Sequence, residues 1–194
     1  MGNATTTFYL GGSSNAALGF QVISQRKRPL LPRTWDVTER IAEQHGQFDY
    51  GAKLRERIFE FDCCAVDCST PEEVAAFRQT LAAFLVDMNG DPGDLAFYFA
   101  DETDRTYTVR YSGKMEMSRE AGNTLGYFRL TLVAFDPFGY ASAETEVSEN
   151  VTGSPEEVAL SNVGTISTPV LIHLTNNGIA VITNPTLTFR VEGP

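Results

Sequence analysis

Arg57-Ile58-Phe59-Glu60-Phe61-Asp62-Cys63-Cys64-Ala65-Val66 decides the fold class. Phe59, Phe61, Cys63 and Ala65 take every second position, with Glu60 and Asp62 between them. Alternate side chains of an extended chain point to opposite faces, so the stretch predicts a strand with one dry face and one wet face. A helix would scatter the same residues around its axis. The device recurs further along. Leu95, Phe97 and Phe99 share a face in Asp94–Ala100, as do Tyr107, Val109 and Tyr111 in Thr106–Tyr111. Phe128, Leu130, Leu132 and Ala134 do so in Tyr127–Phe135. Gly, Pro, Asn and Asp separate these runs, which is the pattern of a packed, mainly β protein.

One helix interrupts the strands. Thr70 is placed to cap it, Pro71 suits its first turn, and Glu73 completes a capping box. Val74, Phe77, Leu81, Phe84, Leu85 and Met88 then recur at spacings of three and four, and Gly90 offers a left-handed stop. A helix is expected over residues 71–89, with one face on a sheet. Residues 1–143 are thus expected to form a β-sandwich with one flanking α-helix. A linker should occupy 144–157, where Ser, Thr, Glu, Gly and Pro carry no apolar period. Residues 158–194 contain strand-like segments at 169–175, 179–183 and 186–191 around the hairpin signal Asn176-Asn177-Gly178. They predict a small or incomplete C-terminal β module.

Composition excludes several classes of function. The 194 residues carry 15 Lys and Arg against 25 Asp and Glu, a formal charge of −10. Such a balance argues against a protein that grips nucleic-acid phosphates. No apolar run approaches the roughly 20 residues of a membrane helix, and no secretory signal opens the chain, so a cytoplasmic start is expected. Cys63, Cys64 and Cys68 are an odd set without a second pair or a nearby His, and are expected to be reduced, buried thiols rather than zinc ligands.

Catalytic and binding motifs are incomplete wherever they begin. Asp87, Asn89 and Asp91 match the start of a calcium loop, but Pro92 stands where the loop needs Gly and Tyr98 where it needs the bidentate Glu. A solvated loop between helix and strand is the expectation. Histidine occurs only at His45, beside Gly46 in an expected turn, and at His173, in an expected strand. There is no nucleophile elbow, and Gly11-Gly12-Ser13-Ser14 lacks the Lys of a phosphate loop, reading instead as a turn or arm. No catalytic residue, metal or cofactor is assigned, and the chain is expected not to be an enzyme. The sole tryptophan, Trp35, sits at a strand position where burial is expected.

One polar cluster stands out. Gln25-Arg26-Lys27-Arg28 is the densest basic run in an acidic chain and follows a short expected strand at Phe20–Ile23. Arg26, Lys27 and Arg28 are therefore the candidate interface residues, facing an acidic surface on a neighbouring copy. The alternative is a solvated loop.

These pieces, in their order, resemble a known family. The basic run after a first strand, the turn at Glu43-Gln44-His45-Gly46, the Arg57–Val66 strand and the capped helix lead to FRLTLVAFDPFGY at 128–140. That segment resembles the strand and Asp-Pro-aromatic exit closing the N-terminal domain of siphophage distal tail proteins. LSNVGT at 160–165 and TPVLI at 168–172 resemble the approach to the family's second, galectin-like domain. The resemblance implies a structural subunit of the virion tail, assembled in the cytoplasm of the bacterial host. It implies a ring, usually hexameric, joining the tail tube to the tail tip, with a channel for passing DNA. Tail tube, tail-tip hub, tape measure and receptor-binding proteins would be its partners. Two other classes compete: a carbohydrate-binding β-sandwich involved in adhesion, which needs an exposed aromatic platform, and a hydrolase with an acidic pocket.

Overall fold

The computed structural model describes residues 6–43, 45–66, 68–119, 126–143, 146–150, 157–161, 164 and 171–179. Contacts divide the chain into two units, Met1–Glu144 and Thr145–Pro194.

The first unit holds the strands β1 (Phe8–Leu10), β2 (Ser13–Ser14), β3 (Phe20–Lys27), β4 (Thr34–Glu39), β5 (Phe48–Leu54) and β6 (Arg57–Ala65). The helix α1 (Pro71–Leu85) follows, then β7 (Asp94–Phe99), β8 (Glu102–Tyr111), β9 (Met117–Arg119), β10 (Gly126–Ala134) and β11 (Tyr140–Ala141). The fold is mainly β with one helix, as the alternation predicts. A nine-stranded sheet runs β2-β1-β7-β8-β10-β6-β3, with β9 beside β10 and β11 beside β8. β10 pairs along eight residues with β6 but through only two, Leu132 and Val133, with β8. The sheet turns over at that narrow junction. Phe8 on β1 meets Phe61 on β6 at 4.7 Å, and Phe59 on β6 meets Phe97 on β7 at 4.9 Å. Neither β1 with β6 nor β6 with β7 is a neighbouring pair in the sheet, so these tilted rings meet across a sandwich-like core.

The expected dry faces are the observed ones. Phe59, Phe61, Cys63 and Ala65 are buried, as are Phe97, Phe99, Tyr107, Val109, Phe128, Leu130, Leu132 and Ala134. Leu81 and Leu85 of α1 join this core, with Phe77 and Phe84 packed against it. The capping box forms as read: Glu73 donates its backbone N–H to Thr70 Oγ1, and Thr70 donates its own to Glu73 Oε2.

Three expectations need correction. The helix ends at Leu85 with Val86 as its C-cap, short of residue 89, and Met88 is fully exposed rather than part of the stripe. The Asp87 carboxylate accepts the backbone N–H groups of Asn89 and Asp91 at 2.8 and 2.9 Å, so a tight turn captures the chain there. Gly90, at φ 90°, serves this turn and not the helix end. Second, of the turn or arm read at Gly11-Gly12-Ser13-Ser14, the turn holds and the arm does not. Phe8 and Leu10 are wholly buried in β1 and Gly11-Gly12 turns the chain into β2. Third, β3 runs on to Lys27, which puts Arg26 and Lys27 inside the strand and Arg28 just past its end.

In the second unit, the described residues form no helix or strand. Gly178 donates its N–H to Asn176 Oδ1 at 2.9 Å, closing the Asx turn that the Asn-Asn-Gly signal suggests. Residues 171–175, with His173 among them, are exposed and unpaired with any described strand, against the expectation for 169–175. A strand needs a neighbour to satisfy its N–H and C=O groups. The expected strands at 179–183 and 186–191 lie outside the described residues apart from Ile179, and so does much of the linker at 144–157.

Candidate interaction surface

Among the described strands β3 is an edge strand, paired with β6 alone, and a bare edge invites unwanted pairing. Two features blunt it. The register slips between Val22 and Ser24 and again between Gln25 and Lys27, which twists the edge. The basic run then commits its charges to its own chain. Arg26 pairs with Asp62, which also accepts from Arg129 at 3.2 Å, and Lys27 pairs with Glu60 at 2.5 Å. Arg28 donates to Asp101 at 2.8 Å and to Glu102 at 2.9 Å, with its guanidinium 3.8 Å from the Phe99 ring centroid. Partial burial would raise the Asp62 pKa, but the hydrogen bonds from Arg26 and Arg129 outweigh it and hold the carboxyl below its usual range. All three candidate residues thus face carboxylates of the same chain.

Directly after Arg28 the chain leaves the sandwich. Pro29-Leu30-Leu31-Pro32 leads into β4, which pairs with β5 as a separate two-stranded hairpin. Every residue of β5 is exposed, and in β4 only Val37 is partly covered. Trp35 lies opposite Lys53 and Glu39 opposite Phe48, while the Tyr50 hydroxyl donates to Glu39 Oε2 at 2.9 Å. Trp35, Phe48 and Tyr50 therefore share one side of the ribbon. An extra residue in β5 is absorbed where Gly51 takes φ 91°, a conformation that other residues rarely adopt. At the tip, Glu43 and Gly46 both have positive φ.

The burial expected of Trp35 is overturned: 55% of its surface is open, with 52% for Phe48 and 64% for Tyr50. Leu30 and Leu31 are more open still. The alternation that marks Trp35 as a strand residue is real, but this strand belongs to a two-stranded ribbon on which no layer of described residues packs. An exposed apolar side of this kind is a candidate contact surface. The signal available in the sequence is the cluster of Leu30, Leu31, Trp35, Ile41, Phe48, Tyr50 and Leu54 without any counterpart helix or sheet.

The residues considered for chemistry are scattered. Cys63 and Cys68 are buried and Cys64 is half-buried on the opposite face of β6 from Cys63; no disulfide joins them, and burial pushes the Cys63 thiol far up. His45 lies at the hairpin tip and His173 in the second unit. Among the described residues no cluster of His, Cys, Asp and Glu is arranged to hold a metal. No described helix is long and apolar enough to cross a membrane.

A sandwich-like β sheet with one flanking helix and an exposed two-stranded ribbon defines a mainly β protein. The chain belongs to the family of phage tail protein RIFT-related domains, which matches residues 16–134, more than half of its length. The match takes in β3, the hairpin, α1 and β10, and bears out the siphophage tail resemblance carried by those segments. The fold is similar to the crystal structure of the SPP1 Dit protein, described as a paradigm of the hub adsorption apparatus in phages that infect Gram-positive bacteria. The two are 21% identical, with a TM-score of 0.58 over 71% of this chain and 52% of that one. The aligned part thus spans about half the length of the SPP1 protein. No curated protein matches the chain.

Proposed function

We propose that this phage tail protein is a structural hub subunit of the tail tip, closing with copies of itself into a ring of six that joins the tail tube to the tip and its receptor-binding parts. The observation that carries this reading is the exposed aromatic side of the β4–β5 hairpin. Trp35, Phe48 and Tyr50 present rigid apolar surface at low entropic cost, the residue types on which protein interfaces concentrate their energy. A heterologous contact, in which the hairpin of one copy meets a different surface of the next, generates a closed ring when the rotation between copies closes. Tape measure and tail-tip hub proteins would meet the faces of that ring. A formal charge of −10 would keep passing DNA from sticking to its channel.

Sugar binding by an adhesion module asks for the same exposed aromatics. Arg55 lies over the Trp35 ring at 4.7 Å, where a sugar would stack, which favours the protein contact. Native mass spectrometry of the purified chain at rising concentration tests the proposal. A closed species of about six copies is expected, and a strict monomer at high micromolar concentration overturns it.

A further inference from the structure

The hairpin has two roots, and an arginine sits at each. On the outgoing leg, Arg28 bridges Asp101 and Glu102 with two separate nitrogens while its guanidinium covers Phe99. The planar fork of arginine makes that double contact, which a lysine ammonium does not reproduce. On the returning leg, Arg57 donates from Nη1 to the Pro29 carbonyl and the Tyr107 hydroxyl, both at 3.4 Å, and lies 5.2 Å from the Tyr107 ring centroid. Arg57 therefore touches the other leg of the hairpin as well as the sandwich. Between the roots the legs are joined by Arg55 N–H donating to the Arg33 carbonyl at 2.7 Å. Pro29 and Pro32 stiffen the outgoing leg by fixing φ.

The sandwich groups in this arrangement come from the end of β7 (Phe99), the turn after it (Asp101) and the first residue and middle of β8 (Glu102 and Tyr107). Among the described residues nothing else braces the ribbon comparably: its strands are exposed along almost their whole length. A two-stranded ribbon held only by its own ladder would swing about its roots, and each direction it sampled would dilute the one able to dock.

We infer that Arg28 and Arg57 form a clamp that sets the direction in which the hairpin presents Trp35, Phe48 and Tyr50, and so act as positioning residues for self-association. The inference rests on the proposed role of the hairpin as the docking element. It gives Arg28 a task different from that of Arg26 and Lys27, whose carboxylate partners lie along β6 and protect the edge.

Trp35 is the only tryptophan, so its fluorescence reports the hairpin alone. Time-resolved anisotropy of Trp35 in the full chain, below the assembly concentration, should decay with the tumbling of the whole protein. Arg28→Gln should add a nanosecond component and raise the concentration needed for assembly by tenfold or more. Circular dichroism should be unchanged. Arg28→Lys should fall between, since it keeps the charge and loses the fork. Arg57→Gln provides a second, independent break of the clamp. An Arg28→Gln decay identical to the unsubstituted chain overturns the clamp. A fast component with undiminished assembly upholds the clamp and sinks the docking role of the hairpin. Failure of the unsubstituted chain to assemble sinks the ring, while the anisotropy still decides the clamp.

Discussion

Asn15, with none of its surface exposed, donates from Nδ2 to the carbonyl of Phe20 at 3.0 Å and so ties the start of β3 to the turn after β2. Its Oδ1 accepts the backbone N–H of Thr7 at 2.7 Å and of Phe8 at 3.3 Å. Replacement by Leu would strand three backbone groups, two of them buried and one partly so, each costly to leave without a partner. Asn15→Leu should lose about 3 kcal/mol of stability in urea unfolding. A loss below about 0.5 kcal/mol would mean that water replaces the amide.

Phe97 meets the rings of Phe8, Phe59, Phe61, Phe99 and Tyr107 and is fully buried. Truncation leaves a cavity that both layers of the sandwich line. Phe97→Ala should cost about 4 kcal/mol, whereas exposed Phe135→Ala should cost under about 1 kcal/mol. Thermal or urea melts of the two variants side by side check the contrast.

The reciprocal bonds of Thr70 and Glu73 satisfy two N–H groups at the start of α1. Thr70→Ala removes one directly and frees Glu73 from its geometry. About 1 kcal/mol should be lost. Thr70→Ser should retain nearly all of it, which separates the cap from side-chain packing.

Asp62 is held below the usual carboxylate range because the Arg26 and Arg129 hydrogen bonds outweigh the effect of its partial burial. A depressed folded-state pKa contributes stability that is complete above the unfolded value near 4 and is lost as pH falls through the lower folded value. Asp62→Asn should therefore be less stable than the unsubstituted chain at pH 6, by about 1 kcal/mol or less for a surface pair. The gap should close below about pH 4. Urea midpoints measured across that range would show a constant gap if packing rather than charge were responsible.

The combined change Trp35→Ala, Phe48→Ala and Tyr50→Ala should weaken self-association by about 100-fold or more, the scale of interface hot spots. Because these side chains are exposed, the melting temperature should move by no more than about 2 °C. Analytical ultracentrifugation with a parallel melt distinguishes lost contact from lost fold.

The period-two faces around Phe59, Phe97, Tyr107 and Leu130, and the cap of the helix at Thr70, were legible in the sequence because each rests on neighbours two to four positions apart. The helix end was misplaced because Met88 fits the apolar spacing, while the competing bonds of Asp87 depend on how the loop closes. Trp35 was placed in a strand correctly and given the wrong environment. Alternation reports that a strand has two kinds of face, and it is silent on what covers the apolar one.

By itself the sequence determined the mainly β class, the dry faces of its strands, the single helix and the likeness to phage tail proteins, all carried by local pattern and residue order. Only the tertiary structure decided what Arg26, Lys27 and Arg28 do, since Asp62 and Asp101 lie 36 and 73 positions from Arg26 and Arg28. It likewise decided that the hairpin stands off the sandwich with its aromatic side bare. Which charges meet, and which apolar face finds no cover, depends on contacts between distant segments that no local pattern encodes.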